Sequence, residues 1–239
     1  MAFAPALHAE WLKIRTLRSL YGTLLALFAA TTAFSALAGA ETPEADTDPL
    51  FTALSGVLPG QIAAITFGAL AVSAEYHGGA LRLSLSAVPR RGQWFAAKVT
   101  AIAVPALLIA LVTALTAFAV GRAGLGDAAS GLTASEQLRG VLGAALYLTL
   151  MTLFAAGLTA LLRSGVATLS LLIPFVLVVS FVIGDARGVT DFLPDKAGQV
   201  ALYETYDGTL GPWTGLGVCA LWTVAALAAG AWSVRRRDA

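Results

Sequence analysis

Charge is scarce in this chain. Asp, Glu, Lys and Arg make up 12% of its 239 residues, against about 25% in soluble proteins, while 58% are apolar or aromatic. A soluble globule of this length would lack the polar residues to cover its surface, and a disordered chain would hold far fewer apolar ones. Cysteine occurs once, at Cys219, which excludes an intramolecular disulfide framework and any multi-thiolate metal site. Asparagine is absent, so there is no N-linked glycosylation acceptor. The formal net charge of +1 gives no basic footprint for nucleic acid.

What the chain has instead is long apolar runs. Six segments approach or exceed the roughly 20 residues that cross a hydrocarbon core about 30 Å thick. They run from Leu20 to Gly39, Phe51 to Ala74, Val99 to Gly121, Gly140 to Leu162, Gly165 to Gly184 and Trp213 to Val234. Only Arg163-Ser164-Gly165 interrupts the fourth and fifth. A continuous helix across that junction would bury an arginine at a cost of about 3 kcal/mol, so a membrane hairpin is expected there. The predicted fold is therefore all-α: one polytopic transmembrane domain over residues 1–239 with six transmembrane helices.

Alternate connections differ sharply in charge. Lys13, Arg15, Arg18, Arg82, Arg90, Arg91, Lys98, Arg163, Arg235, Arg236 and Arg237 fall on one side. Arg122, Arg139, Arg187 and Lys196 fall on the other, together with eleven of the fourteen acidic residues. By the excess of Lys and Arg in cytoplasmic loops, both termini are expected to be cytoplasmic, in a multi-pass protein of the cell membrane. A basic stretch followed by an apolar run ending in Ala36-Leu37-Ala38 also has the outline of a signal peptide. That run reaches about 20 residues, longer than the 7 to 15 of a signal core, so the first segment is read as a span.

None of the six segments carries an ionisable residue deep inside, which disfavours proton- or sodium-coupled transport. Their polar content is Gln61 and scattered hydroxyls, of which Thr66, Thr113 and Thr116 join Gln61 as candidates to line a path. The two histidines, His8 and His77, lie far apart in sequence and form no zinc-binding pattern. No lysine follows a glycine, so there is no P-loop. No catalytic residue, metal site or cofactor is expected, and uphill transport would draw its energy from another polypeptide.

Attention then falls on the segments at the basic side. From Glu75 to Gly92 the chain makes its largest connection there. Leu81, Leu85 and Val88 recur at helical spacing, while Leu81, Leu83 and Leu85 alternate as in a strand, so periodicity leaves both open. Near the N-terminus Leu7, Trp11 and Ile14 form one stripe with Glu10 and Lys13 off it, the pattern of an interfacial helix.

Glu10 to Ser19, the Ser73-Ala74-Glu75-Tyr76 end of the second segment, Val88-Pro89-Arg90-Arg91 with Lys98 following, and Phe192-Leu193-Pro194 ahead of Pro212-Trp213 together resemble permease subunits of type-2 ATP-binding-cassette transporters. The likeness spans nearly the whole chain. It implies a dimeric membrane unit, homo- or heteromeric, that works with a separate ABC ATPase subunit. It further implies an N-terminal interfacial helix bearing Trp11, Lys13 and Arg15, a short coupling helix between spans two and three, and short outer helices before span six. Glu75 and Tyr76 match the acidic-aromatic pair that opens the coupling segment, and Arg82, Arg90 and Arg91 would face the ATPase. His77 and Gly79 depart from the family pattern, where a basic residue and a threonine are expected.

On the acidic side, Glu41 to Asp48 is read as a charged cap, and Gln199 to Tyr206 as either a short helix at the membrane surface or a solvated loop. Small residues four apart, Ala64 with Gly68 and Ala226 with Gly230, predict close helix packing. Pro105 and Pro174 are expected to kink their spans. The sequence thus reads as a permease subunit that exports a hydrophobic or amphipathic compound. The alternative from another class is a non-transporting membrane scaffold or immunity-type protein.

Overall fold

Helix is the only regular structure among the described residues, as expected where lipid offers backbone amides no partner. The computed structural model describes residues 3–41, 47–88, 90–179, 189–206 and 208–236. Helix α1 (Phe3–Thr16) is set off from α2 (Arg18–Ala40) by the single extended residue Leu17. The second segment is two helices, α3 (Pro49–Leu54) and α4 (Val57–Ser73), the first capped by the Asp48 carboxylate, which accepts from the Phe51 amide at 2.9 Å. A short 3-10 turn, Ala74–Tyr76, leads to α5 (Ala80–Ala87), then α6 (Arg91–Leu125) and α7 (Ala134–Leu162). Thr133 and Glu136 form a reciprocal capping box at the start of α7. After the Arg163-Ser164 turn come α8 (Gly165–Pro174) and a π-helical turn, Phe175–Val179. The chain returns through α9 (Pro194–Gln199), a 3-10 turn (Val200–Leu202) and the final helix α10 (Pro212–Arg236).

Five stretches are long and apolar enough to cross a membrane: Arg18–Ala40, Pro49–Tyr76, Arg91–Ala129, Ala134–Leu162 and Pro212–Arg236. The fifth expected span is a shorter apolar helix, Gly165–Val178, and its expected continuation to Gly184 lies outside the described residues. Long spans therefore number five among the described residues, where six were expected. The two prolines behave differently. Helix α6 continues through Pro105, whereas at Pro174 the α-helix gives way to the π turn, a usual accommodation when a proline removes an amide donor.

Helix α7 is the central post. Its apolar window is the most buried of the five, 72% against 22% for α2, and it packs against α4, α6 and α10. Glycine permits this closeness. A Cβ on Gly68 would collide with the Thr152 carbonyl on α7, and one on Gly230 with the Gly157 carbonyl, so both small-residue pairs sit where helices cross. The Thr152 hydroxyl adds a hydrogen bond to the Ala64 carbonyl at 3.2 Å. Large side chains such as Leu25, Leu37, Leu108 and Leu221 stay exposed, forming an apolar outer surface suited to lipid.

Both termini lie at one end of the bundle. The Arg91 guanidinium on α6 donates to the Val234 carbonyl near the end of α10 at 3.1 Å, and α1 packs beside α6. At the opposite end, the Asp48 carboxylate also accepts from the Glu204 amide at 2.8 Å, and Phe51 stacks on Tyr203 at 4.3 Å. Burial against that contact raises the Tyr203 phenol above its ordinary value, with Tyr206 and Asp48 acting in the same sense. The connection from Pro194 to Leu202 is helical and buried, not a solvated loop. Of the segment read as a charged cap, 42–46 lie outside the described residues, and Asp48 serves as a helix cap and a tie to the last loop.

Candidate functional site

At the end that carries both termini, four ionisable side chains meet. Glu10 and Lys13 stand three residues apart on one face of α1, Glu75 closes the second span, and Lys98 lies two turns into α6. The Lys98 ammonium donates to Glu10 Oε2 and to Glu75 Oε1, both at 2.6 Å. Lys13 donates to Glu10 Oε1 and Glu75 Oε1, both at 2.9 Å. The Ser84 hydroxyl on α5 accepts from Lys13 at 3.0 Å and donates to Glu75 Oε2 at 3.0 Å. The Trp94 indole donates to Glu10 Oε1 at 3.2 Å.

The arrangement is neutral and complete. Two carboxylates and two ammonium groups cancel, and each of the four carboxylate oxygens has at least one donor. That matters because Glu10, Glu75 and Lys98 side chains are only 3% exposed, and unpaired charges at such burial would cost several kcal/mol each. Lys13, at 36%, is the one member that reaches solvent. Burial works against its charge, but the two carboxylates outweigh it and hold its ammonium above the ordinary lysine value.

The network ties α5 to three other elements. Leu81 is buried, and Leu85 and Val88 pack against the same cluster as Phe95 and Ile102, while Leu83 is 72% exposed. That pattern is helical, since an alternating strand would bury Leu83 with its neighbours. The helix starts from Gly78 and Gly79 at φ 62° and 76°. A β-branched residue is strained in that conformation, which gives the glycine at 79 a backbone reason.

The expected coupling residues separate into two groups. Arg82 and Arg90 are exposed, and Arg82 borders a hollow of about 480 Å³ with Glu75, Tyr76, Gly79, Leu81 and Arg163. Arg91 is half-buried and holds the end of α10. Glu75 is withdrawn into the ion network, and Tyr76 is half-buried, its hydroxyl donating to the Ala160 carbonyl at 3.3 Å with the Arg163 guanidinium 6.0 Å from its ring centre. On α1, Trp11 is half-buried and Arg15 exposed, and both border an apolar groove with Ile14, Tyr21 and Pro105.

Glu10, Ser84, Trp94 and Lys98 are network residues to which the sequence reading assigns no site role. The signal for Lys98 was available: Trp94, Ala101 and Ile102, at i−4, i+3 and i+4, are apolar, so the lysine shares their inward face. Pairing it with Glu10 and Glu75 needed the tertiary contact.

Of the candidate path residues, Thr113 and Thr116 meet on α6, where the Thr116 hydroxyl lies 3.0 Å from the Thr113 carbonyl. Gln61 is 3% exposed, accepts from the Tyr147 hydroxyl and borders a cleft at the opposite end. Thr66 donates to its own helix at the Ile62 carbonyl, 2.7 Å away. Thr116 donates to the Val112 carbonyl and stands 3.5 Å from the Thr32 hydroxyl, and Thr113 is fully buried one turn before it. Among the described residues no cluster of three His, Cys, Asp or Glu is placed to hold a metal. No protein-family model matches the chain, and no curated protein matches it significantly.

Proposed function

We propose that this chain is the permease subunit of a type-2 ATP-binding-cassette transporter, exporting a hydrophobic or amphipathic compound with energy from a separate ATPase. In this reading two permease protomers pair in the cell membrane, and the end bearing both termini faces the cytoplasm. The observation that carries it is the neutral four-charge network. A short amphipathic helix at the membrane edge transmits force only if it is fixed to the spans it must move. Here α5 is fixed twice, by the apolar contacts of Leu81, Leu85 and Val88 and by the Ser84 hydroxyl held between Lys13 and Glu75. A push on α5 is therefore delivered to α1, to the end of α4 and to the start of α6 together. Arg82 and Arg90 are exposed on that end and give it basic character.

The test is reconstitution with an ATPase subunit encoded beside this chain. Copurification and a rise in ATP hydrolysis on association are expected. Glu75→Ala is expected to abolish the rise while the chain still reaches the membrane. ATP hydrolysis indifferent to the permease, or a rise that survives both Glu75→Ala and a charge reversal at Arg82, would overturn the proposal.

A further inference from the structure

A cleft of about 310 Å³ lies at the end opposite the termini, bordered by α2, α4, the π turn after α8, and α9. Its walls are mostly apolar, with Phe34, Leu58, Ile62 and Val176 among them. Two amide side chains also line it, Gln61 from α4 and Gln199 from α9, 3% and 8% exposed. A polar group so placed in an apolar wall is costly unless its hydrogen-bonding capacity is used.

One phenol shares a single hydrogen bond with each amide. Tyr147, fully buried on α7, meets both amides: its hydroxyl donates to Gln61 Oε1 and accepts from Gln199 Nε2 at 3.3 Å. A phenol has a single proton. Because the hydroxyl donates to one amide and accepts from the other, one amide turns its oxygen to it and the other its nitrogen. Their outer ends then consist of one N–H donor and one carbonyl acceptor, neither hydrogen-bonded to a described residue. The two charged residues bordering the cleft, Asp195 and half-buried Lys196, sum to zero, and the Asp195 oxygens are sealed from it. A charged head would lose its hydration here, and the amide ends offer it dipoles rather than a countercharge.

We propose that this cleft binds an uncharged amphiphile whose head offers both a hydrogen-bond acceptor and a donor, a carboxamide or an alcohol. The head bridges the free ends of Gln61 and Gln199, and the tail lies along Phe34, Leu58 and Ile62 toward the exposed outer surface. Only the role of this ligand as transported cargo rests on the permease reading; the binding itself does not.

The test uses the full chain in phosphatidylcholine nanodiscs without any ATPase, so that failure of binding and failure of coupling are read separately. A diazirine-bearing dodecanamide is photolysed in place, with unlabelled competitors. Dodecanamide and dodecanol are expected to compete, and dodecane, dodecanoate and dodecyltrimethylammonium to compete roughly tenfold more weakly or worse. Gln61→Leu and Gln199→Leu should each weaken labelling roughly three- to tenfold, the worth of one hydrogen bond. Ile62→Trp, which fills the cleft and leaves the Tyr147 circuit intact, should abolish it. Phe34→Ala, on the exposed lip, should weaken it without disturbing the core. Equal competition by dodecane, preferential competition by either ion, or labelling unchanged in Ile62→Trp would overturn the proposal.

Discussion

The Lys98 ammonium lies where 3% of its side chain is exposed, with a carboxylate oxygen of Glu10 and one of Glu75 each 2.6 Å away. Removing it would leave Glu10 and Glu75 sharing Lys13 alone. Lys98→Met is expected to lower stability by about 3 to 5 kcal/mol, read as a fall in the thermal midpoint of the detergent-solubilised chain. Adding Glu75→Gln to that variant should recover part of the loss, because it removes the excess negative charge; a double variant no better than additive would sink this account. Lys13 behaves differently with pH. Its pKa is raised, so its pairing contributes fully below the ordinary lysine value of 10.5 and fades only as pH climbs through the raised one. Gly79 supplies a purely conformational test. A Cβ there meets nothing within 4 Å, yet φ is 76°. Gly79→Thr should therefore cost about 1 to 2 kcal/mol through backbone strain alone, measured in the same melts, whereas a cost near zero would mean that the turn relaxes.

At the scale of the element, α5 shows how little local sequence decides. Its eight residues have the same leucine spacing in a strand as in a helix, and the two positive-φ glycines ahead of it set where the helix begins. The structure distinguishes two leucines that a sequence pattern treats alike. Leu83→Asp, on the exposed face, is expected to change stability by no more than about 0.5 kcal/mol. Leu81→Asp buries a carboxylate against the apolar cluster and is expected to detach the helix, seen as rapid protease cleavage between Tyr76 and Gly92. Equal protease sensitivity of the two variants would mean that α5 is not docked as described. The Pro194–Leu202 segment makes a related point: its acidic and polar residues suit a loop, but its alanines, glycine and leucine let it press against α7 and α10.

For the whole molecule, the basic residues gather at the end bearing both termini, the end that the proposed orientation turns to the cytoplasm. The chain is well suited to a direct test because its one cysteine, Cys219, is fully buried. Arg82→Cys should react with a membrane-impermeant maleimide only in inside-out vesicles, and Thr209→Cys only in right-side-out ones. The reverse pattern would invert the orientation and remove the basis for placing an ATPase at α5.

Much of this architecture is legible in the amino-acid sequence alone. Apolar runs of bilayer length, broken by charges of alternating bias, are enough to define the long helices, because an unpaired backbone or charge in lipid is too costly to be ambiguous. Arg163-Ser164 marked a turn for the same reason, and Gly68 and Gly230 marked helix crossings because a small side chain lets two backbones approach. The ion network and the Gln61–Tyr147–Gln199 circuit were not legible in that way. Each depends on bonds between residues 23 to 88 positions apart, and pairing of that kind depends on how helices rotate and cross. A lone Glu10 or Lys98 near a membrane edge reads as one more interfacial charge; only packing, by removing water from around it, turns it into a group that must find its partner.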